Sequence, residues 1–257
     1  MNFVNLAHGA FAMAGGYVTV VAMQRFGLPF LATLPVAFAV TALAGLVLER
    51  ALYRHLYGRP HLDQVLFSIG LVFMAMAGMN WFMGSSPQNI QLPAELKGRF
   101  DVFGMGVGRY RLFLVVVCGV LALILQGILS KTRFGSRLRA AVDDRRVARG
   151  LGIPVSVIFA ATFAVGSGLA GLGGALGAEI LGLDPSFPVK YMIFFLIVVT
   201  VGGSSSIVGP LTAAVLLGVA DVSGKYFLPQ LGSFVIYALM IVMLIWRPNG
   251  LFARPGR

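Results

Sequence analysis

Long uncharged apolar stretches alternate along this chain with short polar segments. Leu112 to Ser130 carries no charge, Lys131 to Arg149 holds seven Lys or Arg against two Asp, and Val155 to Ala178 is again uncharged. Phe26 to Leu48, Gln64 to Ala94, Tyr191 to Ala220 and Tyr226 to Trp246 are equally free of charge. A helix needs about 20 apolar residues to cross the hydrocarbon of a bilayer. The pattern predicts an all-α, polytopic transmembrane bundle of about eight spans, near 3–23, 30–48, 64–83, 112–130, 155–178, 190–202, 206–222 and 231–246. The runs are continuously apolar, whereas barrel strands alternate over about 10 residues. Helices also satisfy their own backbone groups in lipid.

Composition agrees. Of 257 residues 58% are hydrophobic and 11% charged, and the mean hydropathy is +0.88. Soluble domains are about a quarter charged. The net charge of +11 reads as cytoplasmic loops rich in Lys and Arg. No nucleic-acid partner is expected, because such a binder sets its basic face on a polar domain. The single cysteine, Cys118, excludes an intrachain disulfide and a cysteine-based metal site. His8, His55 and His61 are too scattered for a catalytic or metal set. There is no phosphate-binding loop sequence. No cofactor, no metal and no enzymatic activity are therefore expected of this chain.

Charge also sets orientation. Segment 131–149 has a net charge of +5, segment 49–63 holds Arg50, Arg54 and Arg59 against Glu49 and Asp63, and the C-terminus holds Arg247, Arg254 and Arg257. Eight spans put all three on one side, which the positive-inside rule makes cytoplasmic. Segment 84–110 then faces outward, with a partly ordered or re-entrant piece over Phe100 to Tyr110. The basic loop has helical character: Leu138, Ala141, Val142, Arg145, Ala148 and Arg149 recur at spacings of three and four, and Leu138, Ala141, Val142 and Val147 form a modest apolar face. Gly150 and Gly152 end it. Such a helix suits docking of a soluble partner, and its arginines also serve to fix topology.

Glycine is dense in 155–178. Gly173 and Gly177 are four apart, as are Ala170 and Gly174, a spacing that lets helices approach closely. Gly171, Gly173, Gly174 and Gly177 are the candidate packing positions. Gly202 to Ser206, followed by Gly209 and Pro210, interrupts the apolar pattern as a turn or a broken helix. Asn5 and His8 share a helical face, where polar residues serve either a substrate path or a bond between helices. Asp221 and Lys225 are spaced for an interfacial ion pair.

Several fragments in order resemble the permease family of branched-chain amino-acid ABC transporters, especially its LivH-type members. They are Asn5-Leu6-Ala7-His8-Gly9, Glu49-Arg50-Ala51-Leu52-Tyr53-Arg54, Arg139 to Arg145 running through Ala148 to Ile153, Gly202-Gly203, Gly209-Pro210, and Trp246-Arg247-Pro248-Asn249-Gly250-Leu251-Phe252. The resemblance covers nearly the whole chain. It implies one transmembrane permease domain over 1–257, with a cytoplasmic coupling loop at 131–153. Arg139, Ala141, Asp144, Arg145, Arg149, Gly150 and Gly152 would couple to an ATPase, while Asn5, His8 and Gly9 would border the substrate path.

The resemblance implies a subunit of an ATP-driven importer of branched-chain amino acids in the bacterial inner membrane. A second permease subunit, homologous or identical, two cytoplasmic ATPase subunits and a periplasmic or extracellular substrate-binding protein would complete it. Two departures from the family are expected: the lack of its first hydrophobic helix, which would stand ahead of Asn5, and Ser204-Ser205-Ser206 after Gly203 where relatives carry other residues. A permease for urea or short amides, and a stand-alone secondary transporter or channel, are the alternative readings.

Overall fold

The computed structural model of the chain describes residues 5–102, 105–203, 207–227, 229–247 and 250–251. Among these, helices form at each of the eight expected segments: α1 (His8–Phe26), α2 (Phe30–Ala51), α3 (His61–Met83), α4 (Arg109–Lys131), α7 (Val155–Leu181), α8 (Phe187–Gly202), α9 (Val208–Phe227) and α10 (Gly232–Trp246). The basic loop forms two more, α5 (Arg133–Asp143) and α6 (Arg145–Gly150). Five stretches are long and apolar enough to cross a membrane: Phe30–His55, His61–Met83, Arg109–Lys131, Val155–Leu181 and Val208–Phe227. The fold is thus a polytopic helical bundle with five such helices, against the eight spans expected. In α8 and α10 the apolar helix is shorter, 16 and 15 residues, and the 19-residue α1 carries His8, Gln24 and Arg25.

Helix ends follow local chemistry. Gly27 adopts φ +62°, and the Leu28 N–H donates back to the Ala22 carbonyl at 3.2 Å; the left-handed residue closes α1 and satisfies an orphan carbonyl. Pro29, Pro60 and Pro154 sit immediately before α2, α3 and α7, where a missing N–H costs the helix nothing.

The chain divides into two compact units, 1–120 with 127–190, and 121–126 with 191–257. The first is organised around α1, α2 and α7. A Cβ built on Gly15 would lie 2.0 Å from the Gly171 carbonyl oxygen, and one on Gly174 would lie 1.8 Å from that of Ala12. Cβ atoms on Gly45 and Gly171 would meet the Ser167 and Thr41 hydroxyls at 2.4 and 2.2 Å. Backbones come this close only where side chains are absent, which is how membrane helices gain packing without a hydrophobic drive between them. The buried Thr41 hydroxyl donates to the Ala37 carbonyl of its own helix at 2.6 Å, so it enters the core without an unmet polar group.

The expected partly ordered piece before α4 is a hairpin. Strand β1 (Arg99–Val102) pairs antiparallel with β2 (Met105–Gly108), Arg99 opposite Gly108 and Phe100 opposite Val107. The Arg109 guanidinium lies 4.6 Å from the Phe100 ring centre. Tyr110 anchors the start of α4, its hydroxyl donating to the Leu176 carbonyl at 2.6 Å.

In the second unit α8, α9 and α10 share a core of Ile197, Val201, Ala213, Leu217 and Ile236. Gly203 takes φ +83° just past α8. The Leu251 N–H donates to the Val201 carbonyl at 2.8 Å, and a Cβ on Gly250 would meet the Gly203 backbone at 2.6 Å. The glycine pair and the C-terminal motif, about fifty positions apart, are therefore one contact. Ser204 to Ser206, Pro248, Asn249 and Phe252 lie outside the described residues. The Asp221–Lys225 ion pair forms at 2.6 Å.

Candidate functional site

The basic loop is not the single helix expected over 137–149. Asp144 is extended (φ −145°, ψ 107°), and its Oδ1 accepts the N–H groups of Arg146 at 2.7 Å and Val147 at 3.0 Å. An aspartate in that conformation is a strong N-cap. It ends α5 and starts α6. Thr132 caps α5 in the same way, accepting from the Gly135 N–H at 3.3 Å. The Arg139 guanidinium donates to the Leu129 carbonyl at the end of α4. Gly150 closes α6, and Gly152 takes φ +77° in the connection to α7.

Both short helices are seated on the start of α7. Ala141 and Ala148 are buried with Val155, Ile158 and Phe159, and Tyr57, Phe134, Leu138 and Ile153 pack around them. The apolar face therefore differs from the one the spacing predicts. Leu138 and Ala141 point inward with Ala148, whereas Val142 (46% exposed) and Val147 (57%) face out beside Leu151 (74%). The kink at Asp144 rotates α6 out of phase with α5, which a continuous helical wheel cannot anticipate.

Next to this pair lies a cluster that the sequence did not single out as a site. Glu49, at the end of α2, is 2% exposed. Its Oε1 accepts the Tyr57 hydroxyl at 2.9 Å. The Arg145 guanidinium sits 5.5 Å from the Tyr57 ring centre and 4.8 Å from that of Phe159, within the range of cation–π attraction. Burial, reinforced by the hydrogen bond and charge of Glu49, pushes the Tyr57 phenol above its ordinary pKa, so it stays a donor. Glu49, Arg54, His55, Tyr57, Arg145, Arg149, Val155, Ser156 and Phe159 line a cavity of about 320 Å³.

The Asn5-His8 pair makes a defined hydrogen-bond set. Asn5 Oδ1 accepts from the Ala7 N–H at 2.9 Å and from the Tyr53 hydroxyl at 3.2 Å. These two donors fix the amide orientation, so Nδ2 faces His8 Nδ1 at 3.2 Å as donor, which leaves the proton of a neutral imidazole on Nε2. The His8 side chain is exposed in the isolated chain. Gly9 is buried, and its absent Cβ leaves room for the Pro188 backbone at 3.1 Å. Of the four packing glycines, Gly171 and Gly174 lie in the seam with Thr41 and Ala12. A Cβ on Gly173 would meet nothing within 4 Å, and one on Gly177 only Leu181 of its own helix. Gly168, against the Phe38 ring, completes the seam instead. Among the described residues no group of three His, Cys, Asp or Glu could hold a metal ion.

The comparisons agree with this architecture. The family described as "Branched-chain amino acid transport system / permease component" matches residues 1–244. The high-affinity branched-chain amino acid transport system permease protein BraD of Pseudomonas aeruginosa is 29% identical over 99% of this chain and 87% of its own length. The corresponding LivH of Escherichia coli is 25% identical over 99% of this chain and 87% of its length. LivM of the same organism is 28% identical over 96% of this chain and 63% of its length. No solved structure matches the chain. With a match spanning most of its length and a polytopic helical fold, the chain belongs to the permease-component family of branched-chain amino acid transport systems.

Proposed function

We propose that this chain is the transmembrane subunit of an ATP-driven importer of branched-chain amino acids in a bacterial inner membrane. In this reading residues 1–257 act as one permease domain that pairs with a second permease chain. Similarity to both LivH and LivM supports two related membrane subunits side by side. Two cytoplasmic ATPase subunits drive the pair, and an external binding protein delivers the amino acid. ATP is hydrolysed in the partner subunits.

The observation that carries the reading is the construction of the basic loop. Buried Ala141 and Ala148 fix α5 and α6 onto α7, and the exposed positions of the two helices present Arg146, Arg149, Val142 and Val147. A rigid cationic element outside the lipid, joined to a core helix, can pass on the movement of a docked partner. If all eight apolar helices cross, the positive-inside rule puts this element and segment 49–63 on the cytoplasmic face. Asn5 and His8 then border the substrate path. An ionisable side chain left exposed on a membrane helix needs a cavity or a partner chain around it.

The test is reconstitution of the full complex in liposomes with its ATPases and binding protein. Uptake of leucine, isoleucine and valine that requires ATP on the ATPase side is the expected result. Uptake by the single chain without ATPases would assign it to a transporter or channel that works alone. ATP-driven uptake of urea or short amides in place of leucine would move the substrate class.

A further inference from the structure

The cavity between α6, the end of α2 and the start of α7 has more positive charge than its own walls neutralise. Arg54, Arg145 and Arg149 line it, against the single carboxylate of Glu49. Among the described residues none of these arginines forms an ion pair, and Glu49 is occupied by the Tyr57 hydroxyl, with Arg50 at 3.9 Å. Arg145 is held by the faces of Tyr57 and Phe159, contacts that orient a guanidinium and leave its five N–H donors in search of acceptors. Ser156 adds a hydroxyl, and Val155 and Phe159 supply an apolar floor. Arg149 and Ser156, both exposed, stand at its rim.

Planar guanidinium groups around a small recess match a carboxylate, which takes paired N–H donors. We infer that this recess receives an Asp or Glu side chain of the cytoplasmic ATPase. This rests on the docking reading above and adds the chemistry of the contact. The ATPase is the chosen source because Arg145 and Arg149 belong to α6, the element on which the docking reading seats it, and a lone cationic recess there complements an acidic side chain of the docked surface.

The experiment uses the assembled complex in nanodiscs. A photo-crosslinking residue at position 156, on the rim of the recess, maps the ATPase segment that faces it. Arg149→Glu is the informative variant, because among the described residues Arg149 makes no ring contact and its loss leaves the Tyr57–Arg145–Phe159 stack in place; Arg149→Gln and an unchanged melting temperature guard against misfolding. Arg137→Glu, on α5 outside the recess, is the control for general charge. The expected result is weakening of ATPase retention by at least about tenfold for Arg149→Glu, little change for Arg137→Glu, and recovery when an acidic residue of the mapped segment is changed to Lys. Two results overturn the inference while leaving docking intact: a mapped segment without Asp or Glu, or equal losses for Arg149→Glu and Arg137→Glu. A thermal shift of the ATPase-free permease by leucine or acetate, abolished in Arg149→Glu, would give the recess to a free carboxylate and also overturn it. Failure of the unaltered permease to retain any ATPase is a different outcome and contradicts the proposed function itself.

Discussion

Replacing Gly174 by alanine is the sharpest perturbation of the helical core. The added Cβ would lie 1.8 Å from the Ala12 carbonyl oxygen, 2.4 Å from its carbon and 2.7 Å from its Cα. Ordinary van der Waals contact begins near 3.4 Å, so α1 must retreat by roughly 1.5 Å, and no flexible side chain can absorb the move. A gap of 0.5–1 Å already forfeits about a quarter to a half of each contact along the seam. Overpacking of this kind costs about 1–3 kcal/mol, and a backbone obstacle places it at the upper end. The higher helix propensity of alanine returns about 1 kcal/mol. The net expectation is a loss of roughly 2 kcal/mol. Gly173→Ala is the matched control: its Cβ meets nothing within 4 Å, so only the propensity gain remains. Thermal unfolding of the purified subunit in detergent, read by Trp81 and Trp246 fluorescence, should show Gly174→Ala melting several degrees lower and Gly173→Ala unchanged or higher. Equal midpoints would refute the placement of the seam.

Three further outcomes follow from the loop and the polar clusters. Asp144→Ala removes the cap of α6 and should cost about 1 kcal/mol of local stability, seen as faster tryptic cleavage at Arg145 and Arg146, with Asp144→Asn close to the parent. Glu49→Ala strips the buried acceptor from Tyr57 and should destabilise by about 1–3 kcal/mol; in a double-mutant cycle with Tyr57→Phe the two losses should be less than additive, and strict additivity would deny the contact. Asn5→Ala removes one acceptor of the Tyr53 hydroxyl and the amide partner of His8 together. On the substrate-path reading it lowers transport in the reconstituted complex while the melting temperature moves little; a large drop in stability with normal specific transport would make Asn5 a purely structural residue.

Much of this architecture is legible in the residues, because lipid imposes a simple rule: long uncharged runs become helices. The helix positions at 30–51, 61–83, 109–131 and 155–181 follow from it within a few residues. The helical character of the basic loop is equally visible, yet its break is not, since Asp143-Asp144 reads as charge until the backbone shows Asp144 capping the next helix. Glycine density marks α7 as a packing helix but leaves its rotation open. The four-residue spacing offers Gly173 with Gly177 and Ala170 with Gly174 alike, whereas the partners Phe38, Thr41, Gly15 and Ala12 on other helices select Gly168, Gly171 and Gly174. Glu49 and Tyr57 are 8 positions apart, but Arg145 is remote from both in sequence and all three are ordinary in type, so only the meeting of α2, α6 and α7 makes them a cluster. The hairpin at 99–108 was expected only as a partly ordered piece, because two strands of four residues with a glycine-rich partner carry little periodic signal.

The account depends on α5 and α6 facing the cytosol, and cysteine labelling tests that directly. In a Cys118→Ser background, with Arg146→Cys on the exposed side of α6, a membrane-impermeant maleimide should leave intact cells unlabelled and react fully once the inner membrane is opened. Equal labelling of position 146 in intact cells would put the arginine-rich element outside and contradict the docking of an ATPase upon it.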